Sequence, residues 1–108
     1  MSDQFELYDL TVTVVGDEST YVCGHVKGEA FSVIGENLVF TSNPFSLYAL
    51  AALLPLLPAK QRKTDPNDWM TTDEDIACPD PHCGARFHIA RIAQRKFSHA
   101  DVTRVELP

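Results

Sequence analysis

The sequence predicts an α+β fold: a small antiparallel sheet of about four to five strands packed on one dominant apolar helix. Three observations carry that expectation. A period-two stretch lies near the N-terminus, two short apolar runs are joined through Gly35, and a long apolar segment begins at Asn43–Pro44. The 108 residues suit a single domain, and 44% hydrophobic with 22% charged residues is globular rather than disordered composition. A core over residues 8–92 and a basic tail over 93–108 are expected.

Residues 8–15 read YDLTVTVV, with Tyr8, Leu10, Val12 and Val14 on one face and Asp9, Thr11 and Thr13 on the other. That alternation, rich in β-branched residues, predicts a half-buried strand. Residues 16–27 are polar and turn-rich. The runs 30–34 and 38–40 flank Gly35-Glu36-Asn37 and read as a hairpin. Asn43-Pro44 offers a side-chain acceptor followed by a proline whose missing N–H costs nothing at a helix start. From Phe45 to Leu57 the only polar side chains are Ser46 and the hydroxyl of Tyr48, and Pro55 should end or kink the helix near Leu54. A helix apolar on all sides does not lie on a solvated surface. The segment 44–57 is therefore expected both in the core and at the contact of a homo-oligomer.

Residues 58–72 read as a loop in which Trp69 anchors the chain to the core. Between Thr64 and Pro81 lie six acids and no base, without metal-ligand spacing. Residues 76–78 form a short strand leading into a turn, residues 86–92 alternate around Phe87 and Ile89, and 102–107 can add a weak last strand. His88 falls on the more polar face of its strand, and His82 and His99 read as solvated.

Nine basic against fifteen acidic residues give a net charge of −6. That excludes a general binder of nucleic acid or of anionic membranes. No stretch approaches the roughly 20 apolar residues of a membrane span. The first nine residues hold three acids and no basic n-region, so the expected location is cytoplasmic, where thiols stay reduced.

Chemistry concentrates in three cysteines, an odd number that does not make a disulfide framework. Cys23-Gly24-His25 and Cys78-Pro-Asp-Pro-His-Cys83-Gly84 both lie in turn-rich segments beside strands. Glycine there lets backbone N–H groups approach a thiolate. Two such turns brought together supply Cys23, His25, Cys78 and Cys83, the Cys₃His set that tetrahedral Zn²⁺ prefers, with iron an alternative on the same soft ligands. Three readings stay open. A filled site is a structural metal; an open fourth position is a hydrolase, lyase or isomerase acting on a small molecule; a metal-free Cys78/Cys83 pair is thiol redox chemistry. The weaker catalytic candidates are Ser46, His88 and Trp69. No dinucleotide, phosphate-loop, HExxH or GxSxG motif is present.

The chain resembles a family of small uncharacterised bacterial proteins of domain length with no assigned function. The likeness spans residues 8–91. It is carried by YDLTVTVV, by CGHVKGEAFSV with Cys23, His25 and Gly28, by GENL at 35–38, and by the block FSLYALAALLPLLPAKQRKTDPNDWMTTDEDIACPDPHCGARF at 45–87. Relatives in that family often carry Cys where this chain has Ser46. The resemblance thus implies altered chemistry at Ser46, because serine is a poor Zn²⁺ ligand and a far weaker nucleophile than cysteine.

Overall fold

The computed structural model describes residues 2–108, and residue 1 lies outside the description. It contains one five-stranded antiparallel sheet: β1 (Gln4–Val15), β2 (Gly28–Ile34), β3 (Asn37–Phe40), β4 (Asp75–Ala77) and β5 (Arg86–Ser98), in the order β3-β2-β1-β5-β4. Four short helices accompany it: α1 (Leu47–Leu53), α2 (Leu57–Gln61), α3 (Trp69–Thr72) and α4 (His99–Val102). The α+β class stands, but the single dominant helix does not.

The apolar segment 44–57 divides in two. Its first helix begins at Ser46, not Asn43, because the Ser46 Oγ accepts the Ala49 N–H at 3.2 Å and caps the turn. Around Pro55, which has no N–H to donate, the chain passes through a turn closed by the Leu56 N–H on Leu53 O. Only Ala49, Leu53 and Leu57 of the segment's apolar side chains are buried. Leu47 and Tyr48 remain 74% and 78% exposed, so the segment has a packed stripe and an open apolar face.

Packing in the sheet follows the expected alternation where strands pair regularly. Leu10, Val12 and Val14 of β1 are buried against Phe87 and Ile89 of β5 and Phe31 and Val33 of β2. Each large side chain fully buried here contributes on the order of 1.5–3 kcal/mol. Two irregularities break the alternation. The β1–β2 register passes over Ala30, so Ala30 and Phe31 are buried in succession. The β1–β5 register passes over Ile92, moving from Leu10↔Arg91 to Asp9↔Ala93.

Beyond that bulge the sheet continues where a strand start at residue 8 and a tail from 93 were expected. Residues 4–9 pair with 93–98, Phe5 stacks on Phe97 at 5.2 Å, and residues 99–102 form α4 in place of a last strand at 102–107. Asp9, expected on the solvated face, is 5% exposed. Its carboxylate accepts from Arg95 (Nη2–Oδ2 2.8 Å, Nε–Oδ1 3.2 Å) and from the Gly35 N–H at 2.9 Å. Gly35, at φ +61°, turns the two-residue link between β2 and β3, and its carbonyl accepts from the buried Gln61 at 2.6 Å.

The hydrogen bonds from Arg95 and then from Gly35 outweigh the cost of burial and hold the Asp9 carboxyl below its ordinary 3.8. A depressed carboxylate pKa means stability that is present above 3.8 and is lost as pH falls from there through the folded value. Asp9→Asn should therefore cost about 1–3 kcal/mol at pH 7 and flatten the acid limb of the stability curve below pH 4. Thermal melts of both proteins between pH 2 and 7 read both effects; parallel curves would show that Asp9 does not set the acid limb.

Trp69 does not anchor its loop: it opens α3 and is 56% exposed. The tie is made instead by buried Lys60, whose ammonium donates to Met70 O at 2.6 Å and to Asp73 O. Arg91 lies over the Tyr8 ring and donates to Lys60 O and Arg62 O, satisfying carbonyls at the end of α2. No helix is long and apolar enough to cross a membrane among the described residues.

Candidate metal centre

The site forms at one end of the sheet from two loops. Cys23 and His25 lie between the turn at Glu18–Thr20 and β2. Cys78 directly follows β4, and Cys83 lies three residues before β5. The β4–β5 turn is closed by the Cys78 N–H on Ala85 O at 3.3 Å, and inside it the Cys83 N–H donates to Asp80 O at 3.1 Å. Asp80 shapes the turn further by accepting the His82 N–H on Oδ1 at 2.9 Å.

The four residues named from the sequence come together. One ligand atom from each of Cys23, His25, Cys78 and Cys83 lies within 4.8 Å of all the others, so the cluster could hold a metal ion. Cys23 Sγ and Cys78 Sγ are 3.9 Å apart, and His25 Nε2 is 3.4 Å from Cys78 Sγ. With Zn–S near 2.3 Å and Zn–N near 2.05 Å, a tetrahedral ion needs S···S edges of about 3.8 Å and S···N edges of about 3.5 Å. The Cys23–Cys78 and His25–Cys78 edges have those lengths, and every other pair lies within 4.8 Å.

The surroundings prepare the ligands. Burial alone would raise the Cys83 thiol, but the Ala85, Cys23 and Val22 N–H groups converge on its sulfur and bring it down to about 7. Cys23 is pushed up to about 12, first by burial and then by its sulfur neighbours. Three thiols crowded together cannot all ionise without a cation, and a divalent ion removes that penalty. Burial lowers the His25 pKa, so the imidazole is neutral at pH 7 and its lone pair is free for a metal. Its ring is held by Phe87 at 5.2 Å edge-on, Tyr21 at 6.2 Å edge-on and Phe45 at 6.5 Å.

Gly84 makes the approach of the two loops possible. Its N–H donates to Thr20 O at 3.0 Å, and a Cβ there would lie 1.7 Å from Thr20 Oγ1 and 2.5 Å from Thr20 Cβ. Gly84→Ala should therefore displace the Cys83 turn from the Glu18–Thr20 turn, lowering metal affinity by roughly tenfold or more together with the melting temperature. Adding Thr20→Gly removes the clashing atoms and should restore part of both. A G84A protein with wild-type metal affinity would show that the ligands do not depend on this contact.

The other candidates separate. Ser46 is committed as a helix cap but lines a pocket of about 360 Å³ with Cys23, Tyr48, Cys78, Pro79 and Asp80, which places it beside the cluster. His88 points elsewhere, between Asp75 (Nδ1–Oδ1 2.7 Å) and Glu74 (Nε2–Oε2 3.3 Å), where its strand pairs with β4. Trp69 is not among the residues of either group. His82 is exposed and contributes only its backbone N–H to the turn.

Sequence reasoning missed Asp80, whose Oδ2 accepts from the Cys23 thiol at 3.7 Å. Its only signal was a position two residues after Cys78, inside the metal-site turn. Comparison with protein-family models, with curated proteins and with solved structures found no match, so the chemistry rests on the geometry of the site.

Proposed function

We propose that this chain is a zinc protein in which Cys23, His25, Cys78 and Cys83 hold one ion as a structural clasp between the Cys23–His25 loop and the β4–β5 turn. The observation that carries the reading is the convergence of four protein ligand atoms, three sulfurs and one imidazole nitrogen, all within 4.8 Å of one another. With all four positions supplied by the chain, there is no vacancy for a metal-bound water, which favours a structural over a catalytic ion. None of the three cysteines is paired in a disulfide, which leaves each sulfur available to a metal. The working surface in this reading lies elsewhere, and the exposed apolar face with Leu47, Tyr48 and Leu54 is its assembly surface toward a second copy.

Elemental analysis of protein purified without chelator or added metal tests the reading, and Co²⁺ exchange reports the ligand set. One zinc per chain, with tetrahedral Co²⁺ bands and thiolate charge transfer, is expected. Iron in its place would change the metal and keep the site; three reactive thiols and no metal would overturn the reading.

A further inference from the structure

The two edges of the sheet are built differently. At one, β4 opens on Asp75 directly after Asp73 and Glu74, and charges of that kind blunt an open edge. At the other, β3 has β2 as its one neighbour, and no charged residue stands between Glu36 and Lys60. Leu38, Val39 and Phe40 follow one another on β3 and are 40%, 51% and 44% exposed. Apolar side chains thus project from both faces of the sheet there, and an uncharged apolar edge is a ready template for another strand.

The register fixes what this edge offers. Leu38 and Phe40 oppose the buried Val33 and Phe31, so both lie on the face that α1 covers, where the Phe40 ring packs on Phe31 at 5.0 Å. Val39 opposes Ser32 on the other face. The Thr41 N–H donates to Ala30 O at 3.1 Å, one step beyond the Phe31↔Phe40 pair. Bonded and non-bonded pairs alternate along an antiparallel ladder. Thr41, Val39 and Asn37 therefore turn their backbone groups to β2, and Leu38 and Phe40 turn theirs to the open edge.

We propose that β3 pairs antiparallel with β3 of a second copy about a two-fold axis at Val39, joining the two sheets into one. The chemistry of the strand is symmetric about that residue. The axis sets Leu38 opposite Phe40, Val39 opposite Val39 and Asn37 opposite Thr41 of the other copy, apolar on apolar and polar on polar. The Leu38–Phe40 pairs are the ones whose backbone groups face outward, so they exchange both bonds across the axis. Glu36, the nearest charge, meets Ser42, so copies that each carry −6 bring no acids together on the ladder. An isologous contact uses the same edge on both copies, and the acidic β4 edge does not extend it, so assembly closes at the dimer. This rests on the assembly part of the reading above and not on its metal. A ladder of four residues covers less than the roughly 800 Å² per partner of a standard interface, so a dissociation constant in the micromolar range is expected.

The test is sedimentation equilibrium of the full-length protein from micromolar to millimolar concentration, with zinc content measured on the same sample. Wild type should dimerise. Val39→Lys and Val39→Glu, at a half-exposed position, set like charges against each other at the axis and should each weaken the dimer by roughly tenfold or more. An equimolar mixture of V39K and V39E should dimerise again. A measurement that needs no variant is hydrogen exchange in ¹⁵N-labelled wild type, where the Leu38 and Phe40 amides should slow as the dimer forms. A dimer indifferent to both charges, a mixture that stays monomeric, or Leu38 and Phe40 amides unchanged by dimerisation overturns the pairing. If Leu47→Lys dissociates such a dimer instead, the α1 face stands and this inference alone falls. A monomeric wild type overturns both, leaves the edge to a strand of a different protein, and leaves the zinc clasp to its own test.

Discussion

Cys78→Ser and Cys83→Ser should each yield protein without stoichiometric zinc and with a melting temperature lowered on the order of 20 °C. The magnitude follows from linkage. A metal bound only by the folded state, at a free concentration about a thousandfold above its Kd, stabilises by about 4 kcal/mol, and 1 kcal/mol moves a domain of this size by about 4–8 °C. The two cysteines are buried in the β4–β5 turn, and β4 is only three residues long, paired to β5 through residues 75–77. Without metal that turn keeps its backbone bonds, the His82 N–H on Asp80 and the Gly84 N–H on Thr20 O, but loses the tie between its two cysteines and the Cys23–His25 loop. The remainder of the sheet, built on β1, β2 and β5, does not need the ion, so the variants should stay folded and lose β4 first. Calorimetry and metal analysis of wild type, wild type with chelator, and both variants check the expectation. Chelated wild type should match the variants; a melting temperature unmoved by chelator would remove the structural role even if zinc were present.

His82→Ala provides the contrast. Its ring is exposed and its one contribution to the turn is a backbone N–H, which alanine retains. It should leave zinc content and melting temperature near wild type, and loss of zinc in this variant would mean that the ligand set is misassigned.

How much of this was legible in the sequence depends on how local the determining physics is. The strand 8–15 was readable because Leu10, Val12 and Val14 meet partners two residues apart on paired strands, so period two survives into the structure. The ligand set was readable because cysteine beside glycine in a turn has few other uses, and because softness alone assigns three sulfurs and an imidazole to one class of ion. Asp9 was not readable. Its burial depends on Arg95, 86 residues away, and on a bulge at Ile92 that lets β5 run on past residue 92. The helix at 44–57 was misread for a local reason: Asn43-Pro44 and Ser46 are competing start signals three residues apart, and the cap is made by Ser46. Apolar composition also overstated its burial, since only Ala49, Leu53 and Leu57 are buried, Phe45 and Leu50 pack partly against the core, and Leu47, Tyr48 and Leu54 stay exposed. Trp69 failed as an anchor because a buried lysine, paired to two backbone carbonyls, occupies that role. A charged residue in the core has no signature in hydropathy.

Phe87 is where fold and site become one argument, and replacing it should show both. Its ring is fully buried, its strand neighbours are Val14 and Ile76, and it packs on Phe45 at 5.6 Å and on the His25 imidazole at 5.2 Å. Phe87→Ala should cost about 3–5 kcal/mol through lost transfer energy and the cavity left behind, lowering the melting temperature on the order of 15–30 °C. Phe87→Leu keeps most of the volume and should fold well, yet it removes the aromatic face that sets the angle of the His25 ring. Metal affinity in F87L should then fall by roughly tenfold, the scale of losing an orienting partner of a metal ligand. Leu10→Ala separates this from general destabilisation. Leu10 is equally buried, pairs with Val33 and Arg91, and lies four residues along β1 from the Val14 that opposes Phe87. It should cost about 2–5 kcal/mol and leave the affinity of the folded protein for zinc unchanged. Competition with a chromophoric chelator at a temperature where all variants are folded measures the affinities. If F87L and L10A weaken zinc equally, the metal senses only global stability and the aromatic support of His25 plays no part; if F87L alone does so, the core has a direct hand in shaping the site.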